Sequence, residues 1–161
     1  MAGYLKVGDI KGECIDEGHK GWINLLSVSQ GMSRPVKAGV SGSTRQRASV
    51  DIGDLVCVKE LEASSPKLQE AICTGKCYPE VELHLCTSVG GSKRDVFYKI
   101  KLTNAVVTQY DMSGACTDGA VPTDSFSLNF EKIEWTYMPR EQSFAGKGNI
   151  DASWKVGEGT A

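Results

Sequence analysis

Alternation of apolar and polar side chains with a period of two is the feature that most constrains the fold of this chain. Val81, Leu83 and Leu85 alternate with charged residues or histidine, and residues 96–102 repeat the alternation. This period is that of a β-strand with one buried and one solvated face. A Gly-Gly pair lies between the two runs, so they are predicted to form an antiparallel hairpin.

The segment 125–137 is the longest strand candidate, and its alternation changes phase. Phe126, Leu128 and Phe130 have one parity, whereas the apolar residues from Ile133 onwards have the other. A β-bulge near residues 131–132 would place both sets on the same side of a bent strand. Long bent strands are typical of barrels and rolled sandwiches.

One short helix is predicted among the strands, over residues 65–74. Ser64 offers a hydroxyl N-cap, Pro66 suits the first helical turn, and Gly75 suits the C-terminal end. Leu68, with Ala71 and Ile72, would form its buried stripe.

These elements predict a mainly β fold, a closed or sandwich-like barrel of about eight strands with one short flanking helix. The 161 residues suit one domain covering residues 1–161. The residues predicted for the core are Leu26, Val28, Leu83, Phe126, Leu128, Phe130, Ile133 and Trp135.

Charge is segregated along the chain although the net charge is only −2. Residues 18–50 contain no Asp or Glu but five Lys or Arg, so this stretch is +5 and the remainder −7. Within it, residues 31–48 hold three glycines, three serines and a proline, which predicts an extended loop of the kind that usually has a function. A basic loop on an acidic body suggests docking onto an acidic surface, with a solvated loop as the alternative.

Several classes of function lack support in the sequence. The balanced charge and the absence of aromatic residues from the loop of residues 31–48 disfavour nucleic-acid binding. No apolar run exceeds four residues, which disfavours membrane insertion and predicts a chain made in the cytoplasm without a signal peptide. Phosphate-loop, nucleophile-elbow, zinc-protease and dinucleotide motifs are absent, so no catalytic residue and no cofactor are predicted.

Six cysteines could indicate disulfides or a metal site. A chain folded in a reducing compartment keeps its thiols reduced, so free thiols are the prediction. Cys73, Cys77, His84 and Cys86 could be drawn as a zinc site, but structural zinc sites favour two tight ligand pairs on turns. No metal is predicted.

Five blocks of the sequence together resemble the haemolysin-coregulated protein (Hcp) family. They lie between residues 6 and 137 and read KVGDIKGEC, GHKGWINLLSVSQGMS, ELEASSPKLQEAICTGKCYPEVELHL, YKIKLTNAVVTQYD and VPTDSFSLNFEKIEWTY. The resemblance covers about the whole chain, from residue 4 to residue 156. Each block is modest alone, but their order and spacing are specific. The six cysteines depart from the pattern of the family, which leaves the role of the thiols open.

The resemblance implies a structural subunit of the inner tube of a type VI secretion system. Members of that family form hexameric rings that stack into a tube, which a contractile sheath on a baseplate expels from the cell. The implied partners are further copies of the chain, the spike protein VgrG, the sheath and baseplate, and effector proteins in the lumen. Secretion to the extracellular space or a target cell follows from this assignment.

The resemblance also suggests roles for two groups of residues. The loop that would reach the adjacent ring contains Arg34, Pro35, Val36, Lys37, Arg45 and Arg47. Ser27 and Ser29 alternate with apolar residues and are candidates for the lumen surface, with ordinary exposed strand surface as the alternative. Two other functions stay open: a tube protein of a phage-like extracellular contractile particle, and a monomeric β-barrel that binds a small ligand or glycan.

Overall fold

Antiparallel strands form most of the protein. The computed structural model describes residues 1–35, 49–88, 94–139 and 148–158. Its strands are β1 (Ala2–Val7), β2 (Ile23–Leu25), β3 (Ser27–Ser29), β4 (Met32–Ser33), β5 (Asp51–Ile52), β6 (Leu55–Glu60), β7 (Cys77–Ser88), β8 (Arg94–Ser113), β9 (Thr123–Asn129), β10 (Lys132–Tyr137) and β11 (Ile150–Lys155). The helix α1 spans Ser65–Thr74. The predicted mainly β fold with one short helix is confirmed for these residues.

One sheet contains all the strands except β4 and β5, and its order is β2-β1-β7-β8-β9-β6-β3. Strand β10 pairs with the first half of β8 and with β11. Hydrogen bonding does not close this sheet within the described residues, because β2 and β3 lie at opposite ends of its order. They are consecutive in the chain, so the segment 23–29 connects the two edges and completes a barrel-like enclosure.

The connection between β2 and β3 corrects one core prediction. Leu26 lies between the two strands and donates its backbone N–H to Val58 O at 2.8 Å. Its side chain is 58% exposed, although Ile23 before it is fully buried. The strand leaves one partner and joins another at this residue, which moves the alternation out of phase. Leu26 therefore faces solvent, and Val28 is half-buried against the core.

The predicted hairpin is confirmed, because Leu83 pairs with Ile100 and Val81 with Leu102. Its second strand, β8, extends beyond the predicted run of residues 96–102, because residues 105–110 belong to the same 20-residue strand. This length allows β8 to pair with β10 through its first half and with β9 through its second.

The phase change near residues 131–132 is real, but the predicted bulge is wrong. Asn129 pairs with Val106 and Lys132 with Thr103, three residues apart on both strands, so no extra residue is inserted. The register instead shifts at two other places on β8, opposite Leu85 and Cys86 of β7 and between Val107 and Gln109 beside β9.

Three neighbouring strands change phase together instead. On each strand, two consecutive residues face outward, and the residues directly before and after them are buried. The buried residues are Tyr78 and Val81 on β7, Leu102 and Ala105 on β8, and Phe130 and Ile133 at the junction of β9 and β10. We call this line the crease; it comprises residues 79–80, 103–104 and 131–132. Asn104, which lies on it, has a φ of 51°, in the left-handed region that only a few residue types tolerate.

The core fills the space enclosed by the bent sheet. Leu83, Phe126, Leu128, Phe130 and Ile133 are buried there, while Trp135 is half-buried against the same cluster. Tyr137, the last residue of that alternation, is 44% exposed.

The helix packs its predicted stripe onto this core. Leu68 and Ala71 are buried, and Ile72 is partly buried. Gly75 adopts a left-handed φ of 64° at the C-terminus, as predicted. The Ser64 hydroxyl does not cap the helix, because it donates to Glu62 Oε1 instead. Among the described residues, no helix has the length and apolar character needed to cross a membrane.

Candidate assembly surface

A flat surface of small side chains covers the outer face of strands β3, β6 and β9. Leu55 and Cys57 point into the core, so the intervening valines of β6 face outward. Register places Val58 between Ser27 and Ser125, and Val56 between Ser29 and Ser127. We call this the serine–valine face; its residues are Ser27, Ser29, Val56, Val58, Ser125 and Ser127.

The serine–valine face contains the two predicted serines and four residues that the sequence analysis missed. Ser125 and Ser127 alternate with Phe126 and Leu128 in the sequence, and this alternation was the available signal. Ser27 and Ser29 are exposed, whereas Ser127 is buried. No side chain in the face is charged or larger than valine, so it offers weak contacts to a neighbouring protein and no group for acid–base chemistry.

Polar side chains border the face where it meets β8. Ser127 lies opposite Gln109 and Ser125 opposite Asp111, and Gln109 Nε2 donates to Asp111 Oδ2 at 2.7 Å. Asp54 accepts hydrogen bonds from Asn129 Nδ2, at 2.7 Å, and from the hydroxyl of Thr108. Because Thr108 lies at the register shift of β8 beside β9, Asp54 holds that irregularity against the start of β6.

The predicted basic loop begins and ends at a two-stranded ribbon. Met32 pairs with Ile52 and Ser33 with Asp51, and Gly53 N–H donates to Gly31 O at 2.9 Å. Arg34 and Pro35, at the end of the ribbon, are exposed. The other residues predicted for this loop lie outside the described residues; they are Val36, Lys37, Arg45 and Arg47.

Comparison with known proteins decides the family. Residues 4–137 match the family described as "Type VI secretion system effector, Hcp". The chain belongs to the Hcp family. It is 28% identical over 154 residues to "Protein hcp1" of Pseudomonas aeruginosa, a match that covers 95% of this chain and 93% of that protein.

Solved structures agree with the assignment. A type six secretion system protein superposes with a TM-score of 0.87 at 26% identity, covering 99% of this chain and 98% of the other. Hcp1 from Salmonella typhimurium has a TM-score of 0.76 at 20% identity, with coverage of 98% and 95%, and supports the fold. Family membership places this Hcp chain among the structural, secreted tube proteins of the type VI secretion system.

A buried ion pair attaches the helix of this Hcp chain to the barrel. Lys59 and Asp124 are cross-strand neighbours, both fully buried, with Nζ and Oδ2 2.8 Å apart. Lys59 also donates to Ser65 Oγ at 2.7 Å and to Glu60 O at 3.0 Å, and the Ser65 hydroxyl donates to Asp124. We call Lys59, Asp124 and Ser65 the lysine cluster.

The lysine cluster keeps its carboxylate ionised. Burial opposes ionisation of Asp124, but hydrogen bonds from Lys59, Ser65 and Tyr110 outweigh it and lower the pKa of the carboxyl. Because Ser65 is the first residue of α1, the cluster fixes the start of the helix against β6 and β9. The alternation of β6 continued through Lys59 in the sequence, but an inward lysine is rare unless paired.

A second polar cluster lies on the outer face of β1 and β7, under the loop of residues 9–22. His19 Nδ1 is 3.0 Å from Asp16 Oδ1, and His19 Nε2 is 2.9 Å from His84 Nδ1. His84 Nε2 is 3.4 Å from Glu82 Oε2. Both imidazoles are almost fully buried. We call these four residues, Asp16, His19, His84 and Glu82, the histidine chain.

Aromatic contacts enclose the histidine chain. Tyr4 stacks on His19 with ring centroids 4.3 Å apart, and Trp22 lies 4.7 Å from the ring of His84. Burial, with Lys99 and His19 nearby, lowers the pKa of His84 to about 4. Burial and the neighbouring Glu80 raise the pKa of Glu82. The two histidines are 65 residues apart, and nothing in the sequence predicted that they meet.

The cysteines do not assemble around a metal in the part of the chain that the structure describes. Cys73 and Cys77 are exposed, whereas His84 and Cys86 are buried. No group of three or more potential ligands comes together there. Burial raises the pKa of Cys57 to about 12, which makes that thiol unreactive.

Proposed function

We propose that this chain is the inner-tube subunit of a type VI secretion system, that it forms hexameric rings, and that the rings stack into a tube expelled by contraction of the sheath. The tube would bear the spike protein VgrG at its tip and carry effectors in its lumen. The observation that carries the proposal is the serine–valine face, on a chain whose family is Hcp.

The serine–valine face suits the wall of a channel. A ring of identical subunits repeats the same surface around its axis, so any large or charged side chain would appear six times in a hexamer. Ser27 and Ser29 are exposed beside Val56 and Val58, which are half-buried. This low-relief, uncharged surface would let a protein cargo pass with weak contacts.

Ring stacking is assigned to the basic loop. Arg34 and Pro35 are exposed at the end of the β4–β5 ribbon. The sequence continues with Val36, Lys37, Arg45 and Arg47, so the loop carries four positive charges on a chain whose net charge is −2. Attraction to an acidic face of the next ring would follow, and it would weaken as salt screens the charges.

The first experiment is negative-stain electron microscopy of the purified protein, with its mass measured by light scattering. We expect rings with an open centre and a mass of six chains. A monomer at all concentrations would contradict the tube subunit and favour the ligand-binding barrel. Tubes from a phage-like particle would give the same images, so the neighbouring genes distinguish that alternative.

Charge reversal of the loop tests stacking separately from ring formation. With Arg34, Lys37, Arg45 and Arg47 all replaced by Glu, we expect intact single rings that no longer stack. The matched control replaces two exposed lysines outside the loop by Glu, Lys11 and Lys20, and it is compared with a loop variant that reverses only Arg34 and Lys37. Stacking of the loop variant as in the wild type, at equal ionic strength, would contradict the electrostatic role.

A bulky residue on the serine–valine face tests the lumen assignment. Ser29→Trp should leave the rings intact and reduce the amount of co-purifying effector, because six indoles would project into the channel. Thr117→Trp, at an exposed loop position, is the matched control. Equal effector recovery from both variants would place the serine–valine face elsewhere in the assembly.

A further inference from the structure

Three contacts link the four side chains of the histidine chain. Two neutral imidazoles carry too few protons to make all three contacts hydrogen bonds. The links are Asp16–His19 at 3.0 Å, His19–His84 at 2.9 Å and His84–Glu82 at 3.4 Å. A neutral imidazole carries one N–H and one acceptor nitrogen. Two neutral imidazoles therefore supply two protons for three links.

The positions of the two protons follow from their acceptors. Nδ1 of His19 lies 3.0 Å from Asp16 Oδ1, and a carboxylate only accepts, so Nδ1 carries the proton and, in a neutral imidazole, Nε2 accepts. Nδ1 of His84 must then donate to that Nε2. This leaves Nε2 of His84 without a proton, and the atom is buried with no hydrogen bond in the described part of the chain. It faces Glu82 Oε2, which is also an acceptor when ionised.

We propose that Glu82 binds the third proton and donates it to Nε2 of His84, which completes a hydrogen-bonded chain from Glu82 on β7 to Asp16 in the loop of residues 9–22. The loop is then held on the outer face of the sheet by three protonated links. Ionisation of Glu82 breaks the last link and leaves two acceptors facing each other. The histidine chain is thus a proton-binding site that responds to pH through a carboxyl group.

The surroundings favour the carboxyl over the imidazole as the site of this proton. Burial raises the pKa of Glu82 and lowers that of His84 to about 4, so the proton rests on the oxygen. The charged and titratable groups around Glu82 and His84 are Glu80, Lys6, Lys99 and Lys101, and those around Asp16 and His19 are Arg94, Tyr4, Cys14 and Cys86. Of these, Glu80 is the competing acceptor for the proton.

Other contacts keep the loop in place when the last link breaks. Glu13 N–H donates to Glu62 Oε2 at 2.7 Å, and Lys76 Nζ lies 2.9 Å from Asp9 Oδ1. Backbone hydrogen bonds also join Cys14 to Trp22 and Gly12 to Gly21. The proton therefore tightens the middle of the loop, around His19, rather than deciding whether the loop folds.

A carboxyl titration by carbon-13 NMR tests where the proton is held. We expect the pKa of Glu82 to be raised in the wild type and to fall towards its ordinary value in His84→Asn, whose shorter side chain cannot reach Glu82. Glu80→Gln is the control for the competing acceptor. An unchanged Glu82 pKa in His84→Asn, or a return to the ordinary value in Glu80→Gln alone, would overturn the proposal.

A second measurement in the wild-type protein needs no variant to fold. Nitrogen-15 NMR of the imidazoles should show Nε2 of His84 as an acceptor whose resonance moves at the same pH at which Glu82 titrates. An Nε2 resonance that ignores the Glu82 titration would show that the link does not form. Protons on both nitrogens of His19 while Glu82 is ionised would also overturn the proposal, because His84 Nε2 could then donate to the carboxylate.

Glu82→Gln tests the effect on the loop, because the Gln amide donates a hydrogen bond at every pH. One unit above the measured Glu82 pKa, amide exchange in residues 9–22 should be slower in Glu82→Gln than in the wild type by about two- to tenfold, the worth of one net hydrogen bond. One unit below that pKa the two proteins should agree. Equal exchange at both pH values would refute the link.

Discussion

The lysine cluster and the histidine chain both attach a peripheral element to the barrel, but they differ in the charge that they hold. The lysine cluster attaches the helix, and its Nζ has three partners within 3.0 Å. The histidine chain attaches the loop of residues 9–22 and has a buried nitrogen without a hydrogen bond in the described residues. The lysine cluster has one such atom as well, Asp124 Oδ1, but its ion pair keeps both side chains charged, whereas each link of the histidine chain needs a proton between two acceptor atoms.

The two clusters also differ in their access to water. Lys59 and Asp124 are both fully buried, while the Glu82 side chain is 29% exposed. A carboxyl at the edge of a buried cluster can exchange protons with solvent, but a carboxylate in its centre cannot do so without breaking its ion pair. The comparison teaches that burial fixes the charge of one cluster and leaves the other open to titration.

Removal of one charge from the lysine cluster should give the largest effect. In Lys59→Met the Asp124 carboxylate stays buried without its cation, and the free energy of unfolding should fall by about 3–5 kcal/mol. Urea denaturation measures the change. The double variant Lys59→Met, Asp124→Leu should recover most of the loss, because it leaves no unpaired charge.

A double variant as unstable as Lys59→Met would contradict this account, since the loss would then come from the shape of the site. A loss below about 1 kcal/mol in the single variant, the range of exposed ion pairs, would show that water reaches Asp124. Either result would remove the contrast between the two clusters.

Truncation of a partly buried aromatic side chain in the same sheet provides a reference for the stability changes expected in the two clusters. Trp135 is half-buried against the core, so Trp135→Ala should lower the free energy of unfolding by about 2–3 kcal/mol, less than for a fully buried aromatic side chain. Urea denaturation again measures it. Wild-type stability would show that Trp135 contributes nothing to the core.

The pH dependence of stability in the Asp124→Asn variant tests whether Asp124 and Glu82 titrate differently. The Asp124 pKa is lowered from 3.8 in the folded protein, so its contribution to stability is present above that value and is lost as the pH falls below it. The stability difference between wild type and Asp124→Asn should therefore stay constant from pH 8 to 5 and shrink only below pH 4. A difference that changes between pH 8 and 5 would mean that the Asp124 pKa is raised, as that of Glu82 is, instead of lowered.

Local patterns predicted the elements of this fold well. The helix boundaries agree with the structure because Pro66 and Gly75 act on the backbone within one turn. The hairpin of β7 and β8 followed from alternation that each strand carries by itself. The outward position of Ser27 and Ser29 followed from the same alternation.

The remaining features depend on contacts between distant parts of the chain. Leu26 is exposed because the strand changes partner there, and no single-strand pattern records a change of partner. His19 and His84 meet only after β1 and β7 have paired. Lys59 was hidden because its partner Asp124 is also 65 residues away. The phase change at residues 131–132 was visible, but its cause involves three strands and the sequence shows them one at a time.

The crease also limits how the sequence can diverge. A one-residue deletion in β7, β8 or the β9–β10 junction would turn every side chain beyond it to the opposite face, and the two neighbouring strands would no longer match it. Length changes in these strands are therefore tolerated only if they are coordinated across all three. Substitutions at the outward positions disturb this pairing less, except at Asn104 with its left-handed φ, so insertions and deletions are expected in the connecting loops rather than in these strands.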